Sequence, residues 1–278
     1  MAERPQRRTR PPKHATVTRT ERLTPHMIRV VLTIDSDDRP EIGAYTDHYV
    51  KLLFAPEGVS YPEPLDIEAV RRDLPAEQWP RTRTYTVRAW DEAAGELTVD
   101  FVHHGDEGLA GPWAARAEPG DGLYFMGPGG AYAPDPQAGW HLLAGDESAL
   151  PAIGAALERL LPGAVAKVFL EVPAPEDEQK LTTAADAEIV WLHRASQPVG
   201  AALVAAVGAL DFPPGDVHAF VHGEAGFVKE LRRHLRLDRE IPRDRLSISG
   251  YWRRGADEDG WQATKRTWNE QVEREQER

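Results

Sequence analysis

The sequence predicts a chain of β plus α/β class, an antiparallel β barrel followed by an α/β domain on a mainly parallel sheet. Three observations predict it. Up to about Tyr132, short runs rich in Val, Thr, Ile and aromatic residues are separated by Gly, Pro and Asp turn clusters, the pattern of a small antiparallel barrel. Beyond Tyr132, apolar strand-like runs alternate with helical ones, the pattern of βαβ units. A hydrophobic content of 41% over 278 residues is enough for two domains of ordinary size, each with its own core.

In chain order, ATVTRTERLTPHMIRVVLTI alternates, is rich in β-branched residues and ends in the turn cluster Asp35-Ser36-Asp37-Asp38. HYVKLLFAPEG is a strand running into a Pro/Gly turn. The polar, proline-punctuated segment from Tyr61 to Pro80 reads as an inserted loop with a short helix. RTYTVRAWDEAAGELTVDFVHH is strand, turn, strand; after a glycine-rich stretch and the short helix PWAARA, EPGDGLYFMG adds the last strand of a six-stranded barrel. In the second half, WHLLAGDESALPAIGAALERLLPG is a strand and a helix with apolar Leu150, Ile153, Ala156, Leu157 and Leu160. AVAKVFLEV, EIVWLHR, DVHAFVHG and RLSISGYWRRG are strands, and VGAALVAAVGAL and GFVKELRRHL are helices. The tail WQATKRTWNEQVEREQER has helical composition and reads as a helix fraying at its charged end, with Trp261 and Trp268 read as falling on different faces. The expected division is a disordered basic leader over 1–13, a barrel domain over 14–132, an α/β domain over 133–260 and a C-terminal helix over 261–278, joined near Gly130 to Gly139.

The net charge is -12, although the leader carries Arg4, Arg7, Arg8, Arg10 and Lys13, so the body is more acidic still. An acidic body repels nucleic acid, and the arm reads as a solvated leader rather than a phosphate-binding one. There is no cysteine, which excludes disulfides, thiolate metal sites and cysteine nucleophiles and fits a reducing cytoplasm. The N-terminus has no apolar stretch of the signal-peptide kind, and no run is long enough to span a membrane. The ten histidines show no ligand spacing with carboxylates, so no protein-bound metal is expected. His103 and His104, adjacent on a predicted strand, face opposite sides and cannot share one metal.

Chemistry concentrates in RTRTYTVR, from Arg81 to Arg88. In a strand, Arg83, Tyr85 and Val87 point one way and Thr84, Thr86 and Arg88 the other. The plain reading is an exposed strand with cross-strand ion pairs. The functional one is a cofactor wall, with Tyr85 against a flat ring, Thr86 hydrogen-bonding and an arginine forking a phosphate. Just downstream, HHGDEGLAGPWAARA loosens at Gly105, Gly108 and Gly111 and then enters a helix at Pro112, where free N–H groups and the helix dipole suit an anion.

Together these pieces resemble the ferredoxin-reductase-like flavoproteins, whose flavin motif R-x-Y-[ST]-x-R matches RTYTVR, and within them the siderophore-interacting branch. HYVKLLF, VDFVHHGDEGLAGPWAARAEPGD, LAGDESALPAIGAALERL, VHGEAGFVKELRRHL and SGYWRRG carry the closer likeness, which runs from about His14 to Trp268. The resemblance implies a barrel that binds FAD and a Rossmann-like α/β domain that receives the electron donor. It implies that Arg83, Tyr85, Thr86 and Val87 hold FAD, with Tyr85 at the isoalloxazine and Arg83 near the pyrophosphate. Asp100, Val102, His104 and Gly105 would lie along the flavin, and Gly108, Ala110, Gly111, Trp113 and Ala114 beneath the phosphates. The loop reads GLAGPW where the family has G-P-A-S-x-W, so a serine hydroxyl is missing at Gly111 and backbone N–H groups must do more.

The second half lacks G-x-G-x-x-G and is acidic after its first strand, as that branch is. Asp146 and Ser148, with Ala149, are expected near the nicotinamide or flavin edge while serving as a helix N-cap and acidic first turn. Gly223 and Glu224 are expected to line the same crevice, and Tyr251 or Trp252 to approach the isoalloxazine. Glu171 ends a strand where a ribose 2′-hydroxyl would be read, which tilts the donor toward NADH; the C-terminal helix points the same way, with NADPH and a reduced ferredoxin as alternatives. The implied substrate is a ferric siderophore of catecholate or hydroxamate type, met by Lys51 and Arg253. The arginine that many relatives carry after Gly-Pro is absent from Gly127-Pro128-Gly129-Gly130, which favours a less charged chelate. No residue is needed for covalent catalysis. The leading expectation is therefore a monomeric, cytoplasmic FAD-dependent ferric-siderophore reductase. The alternatives are a flavin or ferredoxin-type reductase with another acceptor, and a siderophore-binding protein without reductase activity.

Overall fold

The computed structural model describes residues 11–276. The leader up to Arg10 lies outside the described residues, while Lys13, counted with it from sequence, opens the first strand, its ammonium donating to the carbonyls of Asp38 and Arg39 at 2.5 and 3.0 Å.

The first half contains β1 (Lys13–Thr24), β2 (Met27–Ile34), β3 (Tyr49–Phe54), α1 (Ile67–Asp73), β4 (Arg81–Asp91), β5 (Glu96–Val102), α2 (Ala110–Arg116) and β6 (Gly122–Gly129). The strands close an antiparallel barrel in the order β1-β2-β5-β4-β3-β6, with β1 pairing to β6. The single β-like run seen in sequence becomes two strands because Pro25 cannot donate to a ladder, and the chain turns there to pair Thr24 with Met27. Alternation fills the interior: Val30 and Leu32 on β2, Val50 and Leu52 on β3, and Leu97, Val99 and Phe101 on β5 are each fully buried. Each such side chain contributes roughly 1.5–3 kcal/mol. The inserted segment holds α1, capped by Asp66, whose carboxylate accepts from the N–H groups of Glu68 and Ala69 at 2.9 and 3.0 Å.

The second half contains β7 (Trp140–Asp146), α3 (Leu150–Arg159), β8 (Val165–Val172), β9 (Asp186–His193), α4 (Ala201–Gly208), β10 (Val217–Glu224), α5 (Ala225–Arg233), β11 (Leu246–Trp252) and α6 (Glu258–Gln276). The sheet is parallel throughout, in the order β11-β10-β7-β8-β9. Barrel, parallel sheet and terminal helix are the expected fold class. β7 is buried along its whole length, as a central parallel strand covered on both faces must be.

The two halves share a core. Met27, Leu23 and Val102 of the barrel pack in one cluster with Leu150, Ile153 and Leu157 of α3. Arg88 of β4 joins them ionically, its guanidinium donating to Glu158 of α3 at 2.5 Å. The second arginine of the RTYTVR motif is thus an inter-domain tie.

The sequence reading of the tail is corrected. Trp261 and Trp268 are seven residues apart, two helical turns, and their rings meet edge to face at 5.4 Å. The helix also stays ordered far into its charged end: Gln276 is buried, accepts from Arg232 and donates to the carbonyl of Lys229.

Candidate functional site

The pairing of β3 with β4 sets Tyr49 opposite Thr86 and Lys51 opposite Thr84, so these four side chains share the outer face of the barrel wall. Tyr49 and Lys51 are exposed. Tyr85 points the other way and lies at 4.4 Å from the ring of Phe101 at the barrel end; burial raises its hydroxyl pKa. Val87 is buried in the barrel core.

Three contacts tie this wall to the end of the chain. The Thr86 side chain hydrogen-bonds Tyr251 at the end of β11, where burial, then the charges of Asp47 and Asp146, push the phenol pKa up. The Thr84 N–H donates to Glu258 at 2.7 Å, and the Arg83 guanidinium donates to Asp259 at 3.2 Å. The guanidinium expected near a phosphate is engaged here by the Asp259 carboxylate, and Glu258 takes the neighbouring Thr84 N–H, both at the opening of α6. No local signal in the RTYTVR motif points to them, because 174 residues separate Thr84 from Glu258.

Below β4, the loop after β5 has left-handed backbone at Gly105 and Gly108, where an added Cβ would meet nothing within 4 Å. It delivers α2, whose first residues Ala110 and Gly111 press against the end of β5: a Cβ on Gly111 would come within 2.9 Å of the Val102 carbonyl. Helix α2 starts without a side-chain cap. Trp113 and Ala114 pack into the barrel core. An open glycine loop, an uncapped helix start, an aromatic ring and a guanidinium already engaged by a carboxylate fit a flavin dinucleotide.

Other expected flavin residues turn to the seam between the halves. Asp100 is buried and forked by Arg29 at 2.7 and 2.8 Å, and Val102 packs with α3. Strand β5 ends at Val102, so His103 and His104 lie in the loop rather than on opposite faces of a strand. His104 sits 3.9 Å from Glu147, its pKa lowered by desolvation and then by His26.

At the sheet's carboxyl edge, Asp146 replaces its expected N-cap role with a wider one. Helix α3 begins at Leu150, too far along for Asp146 or Ser148 to cap it, and its first turn has no acidic residue. The fully buried Asp146 carboxylate instead accepts four bonds. These come from the Ser148 N–H and hydroxyl at 3.0 and 2.5 Å, the Glu224 N–H at 2.8 Å, and the Trp252 indole at 2.9 Å. Gly223 allows this: its φ is +141°, and a Cβ there would lie 2.7 Å from the Asp146 carboxylate. Burial raises the Asp146 pKa while these bonds lower it. Glu147 is pushed up to about 8, by burial first and then by Asp146, although Arg194 donates to it at 2.5 Å.

The ribose role expected of Glu171 is also corrected. Its carboxylate is fully buried and accepts from the Gly200 N–H at 2.9 and 3.1 Å. Arg253 is exposed on the loop after β11, as Lys51 is on β3. Arg194, with no motif around it, was not visible from sequence. Among the described residues no cluster of three or more His, Cys, Asp or Glu could hold a metal, and no helix is long and apolar enough to cross a membrane.

Residues 16–132 match the model of the siderophore-interacting FAD-binding domain, and residues 138–255 that of the siderophore-interacting protein. The chain belongs to the siderophore-interacting protein family. It is 46% identical over 270 residues to an uncharacterized protein of Mycobacterium tuberculosis, Rv2895c, covering 92% of this chain and 95% of that one. It is 36% identical over 251 residues to the ferric vibriobactin reductase ViuB of Vibrio cholerae, covering 87% and 90%. The crystal structure of the siderophore-interacting protein SipS from Aeromonas hydrophila superposes with a TM-score of 0.78 at 31% identity, over 94% of this chain and 98% of that one. The family thus joins a FAD-binding domain to a second domain, and relatives at 36% and 30% identity are a ferric vibriobactin reductase and a ferric-chelate reductase.

Proposed function

We propose that the protein is an FAD-dependent ferric-siderophore reductase, taking electrons from NADH, or from NADPH or a ferredoxin, and delivering them to an Fe(III) chelate. Bound FAD would supply the conversion of a two-electron donor into single electrons. Reduction weakens a hard-oxygen chelate, because Fe(II) matches those ligands less well. The observation that carries the reading is the outer face of β3 and β4. There the exposed Lys51 and Tyr49 stand beside Thr84 and Thr86, on the strand whose Arg83 already holds the Asp259 carboxylate.

In this reading Arg83 and the start of α2 hold the cofactor phosphates, and Tyr85 and Thr86 position the flavin. Tyr251, tied to Thr86, and Trp252, tied to Asp146, border the ring. Lys51 offsets the charge of a catecholate or hydroxamate chelate, with Arg253 as the second cation. The protein works as a cytoplasmic monomer.

The test is the visible spectrum of purified protein under anaerobic conditions. A flavin spectrum that bleaches with NADH and returns on adding a ferric siderophore is the expected outcome. A protein that is colourless and takes up no added FAD overturns the reading.

A further inference from the structure

We propose that the α/β domain does not grip a dinucleotide by its pyrophosphate: a dihydronicotinamide donor is taken by its ring end, and its ADP half adds no affinity. This rests on the reductase reading above and concerns the donor alone. In open α/β sheets a pyrophosphate sits at the carboxyl ends of the strands on the free N–H groups of a helix start. On that edge of this sheet the starts of α4 and α5 are engaged by the chain's own carboxylates, and the turn into α3 is bound up by Asp146 and packed against the barrel.

At α4, the Glu171 carboxylate takes the N–H groups of Gly200 and Leu203. At α5, the Glu224 carboxylate takes the Gly226 N–H at 2.6 Å, while the Glu224 N–H is given to Asp146. In the turn into α3, the Asp146 carboxylate takes Ser148, and its carbonyl takes the Ala149 N–H at 3.0 Å. Pro151 has no N–H to offer. Ala149, Leu150 and Ala152 are at most 2% exposed, in one packed cluster with Met27, Leu23 and Val102 of the barrel. The place where a pyrophosphate would lie is filled by protein.

Charge closes the edge as well. Asp146, Glu147, Glu171 and Glu224 are all buried there. The cation among them is Arg194, whose guanidinium lies 2.5 Å from Glu147 and 3.3 Å from Glu171. His104, held toward its neutral form, adds no charge at neutral pH. A pyrophosphate would have to compete for a guanidinium already engaged by the Glu147 and Glu171 side chains. What the edge leaves beside the flavin wall is flat and aromatic: Tyr251 and Trp252, both half-buried.

The test compares donors that differ only in the ADP half. FAD-loaded protein is mixed anaerobically with NADH, NADPH and reduced nicotinamide mononucleotide while flavin bleaching is timed. Binding of ADP-ribose to the flavin-free protein is followed by calorimetry. The expected result is second-order rate constants within about threefold of one another and no ADP-ribose binding below about 1 mM. NADH faster than the mononucleotide by about 30-fold or more, or micromolar ADP-ribose binding, overturns the proposal. So does a flavin that none of the three donors bleaches. The reductase reading is judged separately, by reoxidation of dithionite-reduced protein with a ferric catecholate. If the protein takes up no FAD, that reading fails, and ADP-ribose binding still decides whether the edge is closed.

Discussion

The start of α2 on the barrel and the carboxyl edge of the parallel sheet are built from the same parts, a strand end and a turn into a helix, yet they treat anions in opposite ways. Helix α2 starts uncapped after an open glycine loop, and on β4 the Arg83 guanidinium holds the Asp259 carboxylate. At the sheet edge, Glu171 and Glu224 fill the donors of α4 and α5 from within, and Asp146 takes those of the turn before α3. The same strand-to-helix geometry can hold a ligand or hold the fold, and the nearest buried carboxylate decides which.

The largest effect expected on the closed side comes from Asp146→Ala. It strips four donors of their acceptor in a buried site and should cost about 3–5 kcal/mol in chemical denaturation. A cost near zero would show that the edge is not held by this carboxylate. On the open side, Arg83→Ala should weaken FAD binding roughly 10–100-fold by fluorescence titration while leaving riboflavin, which has no phosphate, unmoved. Equal losses for both ligands would remove the anion role of Arg83.

Titration probes the parallel-sheet half further. Glu147, with its folded pKa raised to about 8, contributes stability that is full below the usual glutamate range and is lost as pH rises toward about 8. Buried neutral His222 and His141, lowered by desolvation to about 3 and about 4, act at the other end. Their contribution is full above about 6.5 and is lost as pH falls toward those values. Melting temperature against pH should therefore fall on both flanks, and Glu147→Gln should flatten the alkaline flank alone. The smallest effect is expected at Lys51: Lys51→Ala should raise KM for an anionic ferric chelate about three- to tenfold at low salt, and less in high salt.

The division into barrel and parallel sheet was legible because it rests on periodicity, which is local. So was the candidate wall, since Arg83, Tyr85 and Thr86 are neighbours on one strand. What sequence did not reveal are partners brought from far away: Asp259 on Arg83, Arg194 between Glu147 and Glu171, and the indole of Trp252 on Asp146. Asp146 and Ser148 look like a cap because their residue types suit one, and local type says nothing about two other strands ending beside them. The pairing of Trp261 with Trp268 was within reach, since seven residues make two turns.

The tie between β4 and the start of α6 has a consequence for the order of events in the cell. During synthesis the chain emerges N-terminus first, and domains fold as units in that order. The barrel is therefore made while Glu258 and Asp259 do not yet exist, and Thr84 waits 174 residues for its carboxylate. If FAD takes Arg83 and the wall beside it as proposed, a flavin present during translation meets an uncontested wall, while one added to finished apoprotein competes with two resident carboxylates. Loading during expression and loading afterwards should then differ in rate, a memory of assembly carried by a single strand.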